Sequence, residues 1–188
     1  MFEIIRMNLS KYYNPSEYLA VDEVIVKFKG RILFNQYILK KRKHFSIKMF
    51  KLCDSTGYTY DMNVYLGKDR QRAAQHQTAT HATVNNLTRG VERFGHKLYM
   101  DNSFSSPDLY DDLEQKKIFC CGMVRLHRKG MHKDLKTKTL RMKRGNIRVR
   151  TRGDLTAVVW KGKMDVCLLT NIHNPPREGN YHVDTGMR

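Results

Sequence analysis

Two short apolar runs flank one sharply delimited helix, and this arrangement constrains the fold more than any other feature of the chain. The runs are His-Lys-Leu-Tyr-Met-Asp at 96–101 and Ile-Phe-Cys-Cys-Gly-Met-Val-Arg at 118–125, each read as a strand. Between them, residues 106–117 carry helix signals at both ends. Ser106 can accept from first-turn amides, and Pro107 suits the first helical position. Asp108, Asp111 and Asp112 favour the positive end of the helix dipole, and Lys116 and Lys117 the negative end. Strand, helix and strand in succession form a crossover unit, with the helix laid on a sheet face. The expectation is an α/β chain with a mixed sheet whose later strands pair in parallel through helical crossovers.

Upstream the chain is strand-rich. Residues 18–28 read as a strand closed by Gly30, with Val24, Val26 and Phe28 on one face at period two. Asp22 falls on that same face. A carboxylate there is costly unless it is paired, metal-bound or solvated at the strand end. Glu23 points to the opposite face and reads as structural or solvent-facing. Residues 45–53 and 58–66 form two further strands. Asp54-Ser55-Thr56-Gly57 joins them as a hairpin, because glycine supplies the positive φ and aspartate a local hydrogen bond. Residues 70–94 read as helical, with a stripe of Val84, Leu87, Val91 and Phe94, although the polar part from Ala73 to Thr83 is equally consistent with a loop. A fourth strand, 96–101, ends at Asp101. Residues 1–16 read as the remnant of an upstream segment, punctuated by Asn14-Pro15-Ser16.

The character changes after Arg125. From 125 to 152 there are twelve Lys or Arg residues and one acid, Asp134. Strands are expected at 147–152, 155–160 and 164–171, with turns at Gly153-Asp154 and Gly162. Together with Pro175-Pro176 and Gly179 they define a small basic β-rich unit and a tail at 181–188.

The whole chain has 35 Lys and Arg against 18 Asp and Glu, a formal net charge of +17. A surplus of that size favours a polyanionic partner, with nucleic acid first and a merely solvated basic surface as the alternative. No apolar run approaches the roughly 18–20 residues of a membrane helix. Cys53, Cys120, Cys121 and Cys167 show no Cys-x-x-Cys spacing and read as buried, reduced thiols of a nuclear or cytosolic protein. The histidines show no zinc spacing, and no Walker or nucleotide-binding loop is present.

Two strand-borne aspartates remain, Asp22 and Asp101. Hard carboxylate oxygens are what magnesium selects, and phosphoryl transfer commonly uses two such ions roughly 3.5–4 Å apart. By pattern alone each is equally a solvated strand-edge carboxylate. Two basic clusters are candidate phosphate contacts. One is Lys40, Lys41, Arg42 and Lys43, between the first two strands, which reads equally as an import signal or a solvated loop. The other is Arg125, Arg128, Lys129, Lys143, Arg144, Arg148, Arg150 and Arg152. The last three of these alternate along one strand. Like charges on one face repel, an arrangement that phosphate would relieve.

Several segments resemble the piggyBac transposases and the piggyBac transposable element-derived proteins. They are Val-Asp-Glu-Val-Ile-Val-Lys-Phe-Lys-Gly-Arg (21–31), Gln-Tyr-Ile-Leu-Lys-Lys (36–41), Cys-Asp-Ser-Thr-Gly-Tyr (53–58), Tyr-Met-Asp-Asn-Ser-Phe-Ser-Ser (99–106), Cys-Gly-Met-Val-Arg (121–125) and Asp-Val-Cys-Leu-Leu-Thr-Asn-Ile-His-Asn (165–174). The resemblance implies a ribonuclease H-like core of the DDE/DDD type over 17–125. A basic β-rich insertion would interrupt it at 126–180, and the core would be incomplete at its C-terminus. It implies that Asp22 and Asp101 are catalytic and hold magnesium, and that intact relatives cleave and rejoin DNA at TTAA sites. A third aspartate is expected beyond the insertion. Asp184, in His-Val-Asp-Thr-Gly, matches that motif only superficially.

The expected role is therefore a transposase-derived, catalytically incomplete DNA-binding fragment. It would be nuclear, able to form homodimers on DNA, and without a membrane or small-molecule partner. The alternatives are an enzyme relic, a transposase core fragment whose intact relatives cleave and join DNA, and a non-enzymatic protein-interaction module that keeps only the fold.

Overall fold

The structure is a computed structural model that describes residues 1–31, 36–37, 45–67, 78–135, 142–176 and 179–180. It divides into two compact units, Met1–Tyr99 and Met100–Arg188.

In the first unit, helix α1 (Phe2–Lys11) precedes strand β1 (Tyr18–Lys27). Strands β2 (Gln36–Tyr37), β3 (Phe45–Asp54) and β4 (Thr59–Val64) follow. β3 is central. It pairs antiparallel with β1 from Leu19↔Asp54 to Lys27↔Ser46, and its other edge takes β2 and β4. Helix α2 (Ala79–Thr88) runs into a 3-10 turn at Arg89–Val91, and β5 (Lys97–Met100) carries the chain past the unit's last residue, Tyr99. Leu19, Val21, Phe50, Leu52, Tyr60, Val84, Leu87, Val91 and Leu98 form the core. Thr78 caps α2 by accepting from the His81 amide at 3.3 Å.

The expected α2 stripe holds through Val91 and fails at Phe94, which is 78% exposed. The reason is local. The helix tightens into the 3-10 turn, and Arg93 at φ 69° turns the chain out just before Phe94, with Gly95 at φ 80° directly after it.

The Asp54–Gly57 hairpin forms as expected, with Gly57 at φ 87°. Asp54 is buried, and its Oδ1 accepts from the Thr56 amide (2.9 Å), the Thr56 hydroxyl (2.6 Å) and the Tyr58 amide (3.2 Å). The Tyr13 hydroxyl donates to Oδ2 at 2.5 Å. Burial alone would raise this carboxyl, but the hydrogen bonds from Thr56 and Tyr13 outweigh it and hold the pKa at about 2. Because the folded value lies below the unfolded one, the stabilisation is present above the ordinary carboxylate range of about 4 and is lost as pH falls toward about 2. We expect Asp54→Ala to destabilise the unit by about 1–3 kcal/mol at neutral pH, with the difference from wild type shrinking at acid pH. Urea melts at the two pH values check this; coincident melts at neutral pH would contradict it.

Helix α1 itself was not anticipated. It buries no residue. It is held instead by Arg6, which donates through Nε to Asp61 Oδ1 at 2.6 Å and through a terminal nitrogen to Oδ2 at 3.0 Å and Asn86 Oδ1 at 2.9 Å. Tyr13 stacks on Tyr58 with centroids 4.0 Å apart, and the Tyr58 hydroxyl donates to the Leu9 carbonyl at 3.0 Å.

In the second unit, helix α3 (Pro107–Gln115) is capped by Ser106, whose hydroxyl accepts from Leu109 N at 3.4 Å. It buries Leu109, Tyr110 and Leu113. Strands β6 (Phe119–Met123), β7 (Asn146–Arg152), β8 (Leu155–Lys161), β9 (Asp165–Thr170) and β10 (Gly179–Asn180) lie in the order β10-β7-β8-β9-β6, antiparallel throughout. The expected strands of the basic β-rich segment are thus present within a residue or so at each end. Leu155, Ala157 and Val159 alternate into the core from β8, and Cys167 and Leu169 from β9. Burial pushes the Cys167 thiol up to about 12 and raises Cys120 as well, so both are inert core groups. No helix among the described residues is long and apolar enough to cross a membrane.

Candidate functional site

Asp101 follows β5 directly, where the chain leaves the strand and turns toward α3. The turn is built by the aspartate itself. Its Oδ1 accepts from the Ser103 amide at 2.8 Å and the Ser103 hydroxyl at 2.5 Å. Its carbonyl accepts from the amides of Phe104 (3.3 Å) and Ser105 (3.2 Å) and from the Ser105 hydroxyl (2.9 Å). Phe104 and Ser105 are buried beneath, while Asp101 is exposed. Oδ2 has no hydrogen-bond partner among the described residues. The Asp-Asn-Ser-Phe sequence therefore folds into a side-chain-mediated turn that fixes one carboxylate oxygen and offers the other.

The end of β6 and the residues after it brace this turn. Gly122 passes so close that a Cβ there would lie 2.1 Å from the Met100 carbonyl oxygen and 2.9 Å from Ser105 Oγ. Only glycine fits. Beyond it, Arg125 Nε donates to Asn102 Oδ1 at 3.3 Å, and an Arg128 terminal nitrogen donates to the carbonyls of Asn102 (3.4 Å) and Ser103 (2.6 Å).

Asp22 lies in the first unit, on β1 opposite Lys51 in the register. Its Oδ1 accepts from the Glu23 amide at 2.7 Å. The face assigned to it from the sequence needs correction. β1 buries the other parity, Leu19 and Val21, whereas Asp22 is exposed and Val26 is 43% exposed. No buried carboxylate has to be compensated. Glu23 is exposed, with its carboxylate 2.5 Å from Lys48 Nζ.

Asp22 and Asp101 are each an exposed carboxylate, the donor type that magnesium takes, so each taken singly fits the ion by its chemistry. Among the described residues no group of three or more His, Cys, Asp or Glu could hold a metal ion. Asp184 lies outside the described residues.

The basic candidates divide by what already holds them. Lys40, Lys41, Arg42 and Lys43 lie outside the described residues. Arg152 donates from one nitrogen to both Asp111 oxygens, at 2.8 and 2.5 Å, and Arg150 sits 3.6 Å from Asp134. The repulsion expected along β7 is thus relieved at two positions by carboxylates of the same chain. Arg148 is exposed on the same strand. Arg125, Lys129, Lys143 and Arg144 are also exposed. Gly122, the Asp111–Arg152 pair and the bracing role of Arg128 were not legible beforehand; the only signal was a glycine inside a strand pattern.

With this geometry in place, comparison with known proteins defines the class. A family model described as Transposase IS4 matches residues 1–186. The chain belongs to that transposase family, in its piggyBac branch. It is 25% identical over 149 residues to the human PiggyBac transposable element-derived protein 5, covering 74% of this chain and 28% of that protein. It also superposes on a piggyBac transposase in a synaptic complex with hairpin DNA, determined by cryo-electron microscopy, with TM-score 0.82 and 28% identity. That match covers 92% of this chain and 37% of the other. The chain therefore spans about a third of the length of these relatives. The fold is the mixed α/β, ribonuclease H-like architecture expected from the sequence.

Proposed function

We propose that the chain is a transposase-derived DNA-binding core in which Asp22 and Asp101 are the magnesium-holding carboxylates. The observation that carries the reading is the Asp101 turn. It presents an exposed carboxylate oxygen, it stands in the family's Asp-Asn-x-Phe motif, and the cationic segment from Arg125 to Lys129 follows the strand that braces it. The structural relative held with hairpin DNA supports DNA as the polyanion, and the net charge of +17 supplies the attraction. Bound magnesium would supply Lewis-acid stabilisation for phosphodiester cleavage. The chain's own contribution is to orient Asp101 through Ser103 and to draw DNA by exposed cations. Residues 17–125 would be the core and 126–180 the family's insertion. A nuclear location and pairing of two copies on DNA belong to the same reading.

In this reading Asp22 and Asp101 are the assigned carboxylates, and two carboxylates rarely hold a two-metal site alone. The expected behaviour of this stretch of chain is thus DNA binding without cleavage. A nicking assay on supercoiled plasmid in magnesium or manganese tests this, with wild type beside Asp22→Asn and Asp101→Asn. No nicking by any of the three supports an unfinished site. Nicking by wild type that disappears in both variants would overturn it, leaving the two aspartates as working ligands and Asp184 as the next residue to replace.

A further inference from the structure

We propose that Arg128 is a positioning residue for the Asp101 carboxylate, not one of the chain's phosphate contacts. This deepens the reading of Asp101 as a metal-holding group and rests on it. The sequence alone places Arg128 among the candidate phosphate contacts, but its setting differs from theirs. It is partly buried, whereas Arg125, Lys129, Lys143 and Arg144 are exposed. One of its terminal nitrogens donates to two successive carbonyls, Asn102 at 3.4 Å and Ser103 at 2.6 Å. Its Nε is buried without a hydrogen-bond partner among the described residues.

A guanidinium that reads phosphate presents its planar fork to the ligand. Here one arm is committed to main-chain oxygens and Nε faces protein. Those two carbonyls belong to the residues that Asp101 must hold in place. Its Oδ1 takes the Ser103 amide and hydroxyl, so any rotation of the 102–103 peptides moves the carboxylate with them. Water could satisfy the same carbonyls, but it would leave the peptides free to turn. A charge-assisted donor from a half-buried side chain fixes them. Arg125 adds a longer bond to the Asn102 side chain at 3.3 Å from an exposed position, and is the weaker brace. The arrangement is that of an outer residue which orients a ligand without touching what the ligand binds.

Amide hydrogen exchange on the full chain tests this directly, with manganese binding as a second readout. In Arg128→Ala, exchange at Ser103, Phe104 and Ser105 should rise by roughly tenfold or more, while the amides of β8 and β9 keep wild-type protection. Manganese affinity should fall by roughly 10–100-fold, and Arg128→Lys, which keeps the charge as a single point donor, should fall between the two. Wild-type exchange at Ser103–Ser105 in Arg128→Ala overturns the proposal, whatever the metal result. If Asp101→Asn leaves manganese affinity unchanged, the metal reading falls by itself, and the exchange data still decide the role of Arg128. Should Arg128→Ala not fold, the same exchange criterion applies to Arg128→Lys.

Discussion

Gly122→Ala is expected to destabilise the second unit by about 3 kcal/mol or more, at the upper end of what overpacking normally costs. The added Cβ would meet the Met100 carbonyl oxygen at 2.1 Å, far inside any real contact. That atom is main chain, so no side-chain rotation relieves the overlap. The next neighbour, Ser105 Oγ at 2.9 Å, is itself donating to the Asp101 carbonyl at 2.9 Å and lies 3.3 Å from the Tyr110 hydroxyl. Tyr110 is fully buried. Relief must therefore come from moving β6 away from the residue before Asp101, which opens the core and displaces the turn together. Gly57→Ala is the informative contrast. Gly57 has φ 87° and nothing within 4 Å of the added methyl, so the cost there is backbone strain alone, about 1 kcal/mol. Urea unfolding of both variants, with a larger midpoint shift for Gly122→Ala, is the expected result. A wild-type midpoint for Gly122→Ala would show that β6 does not approach as described.

The second large effect concerns DNA. Replacing Arg125, Lys129, Lys143 and Arg144 together by alanine should weaken duplex binding and flatten its salt dependence. Each lost phosphate contact removes about 0.9 from the slope of log affinity against log salt, so four contacts remove roughly 3–4. The paired variant Arg150→Ala with Arg152→Ala should change the slope much less. Asp134 and Asp111 already accompany those two cations, so their net contribution to the field at the surface is small. Equal effects from the two variant sets would mean that the carboxylates release the arginines when DNA arrives. An unchanged slope in the fourfold variant would remove these residues from the interface.

What the sequence made legible was whatever is decided within a few residues. Ser106 and Pro107 mark the start of α3 because capping and fixed φ are local properties. The Asp54–Gly57 turn is readable because a positive φ selects glycine. The strands of the basic segment are readable because the turn residues Gly153 and Gly162 delimit them. What stayed hidden depends on distant partners. β1 has apolar residues at both parities, Leu19 and Val21 against Val24 and Val26, so alternation alone could not say which set goes inside. Helix α1 has no buried stripe to announce it, and Asp61 and Asn86 hold it through Arg6. The pairing of Arg152 with Asp111 spans a strand and a helix, and no spacing rule foretells it. The family motifs placed Asp101 in the candidate site, but how Ser103, Gly122 and Arg128 orient it emerges only from the fold.

The proposal that this transposase-family chain binds DNA through phosphate contacts is tested by fluorescence anisotropy of a labelled duplex titrated with the wild-type chain, from about 50 to about 200 mM salt. Tight binding is expected at low salt, with a log–log slope of several negative units, one contribution of about −0.9 for each phosphate neutralised. Absence of binding at low salt, or a slope near zero, would contradict it.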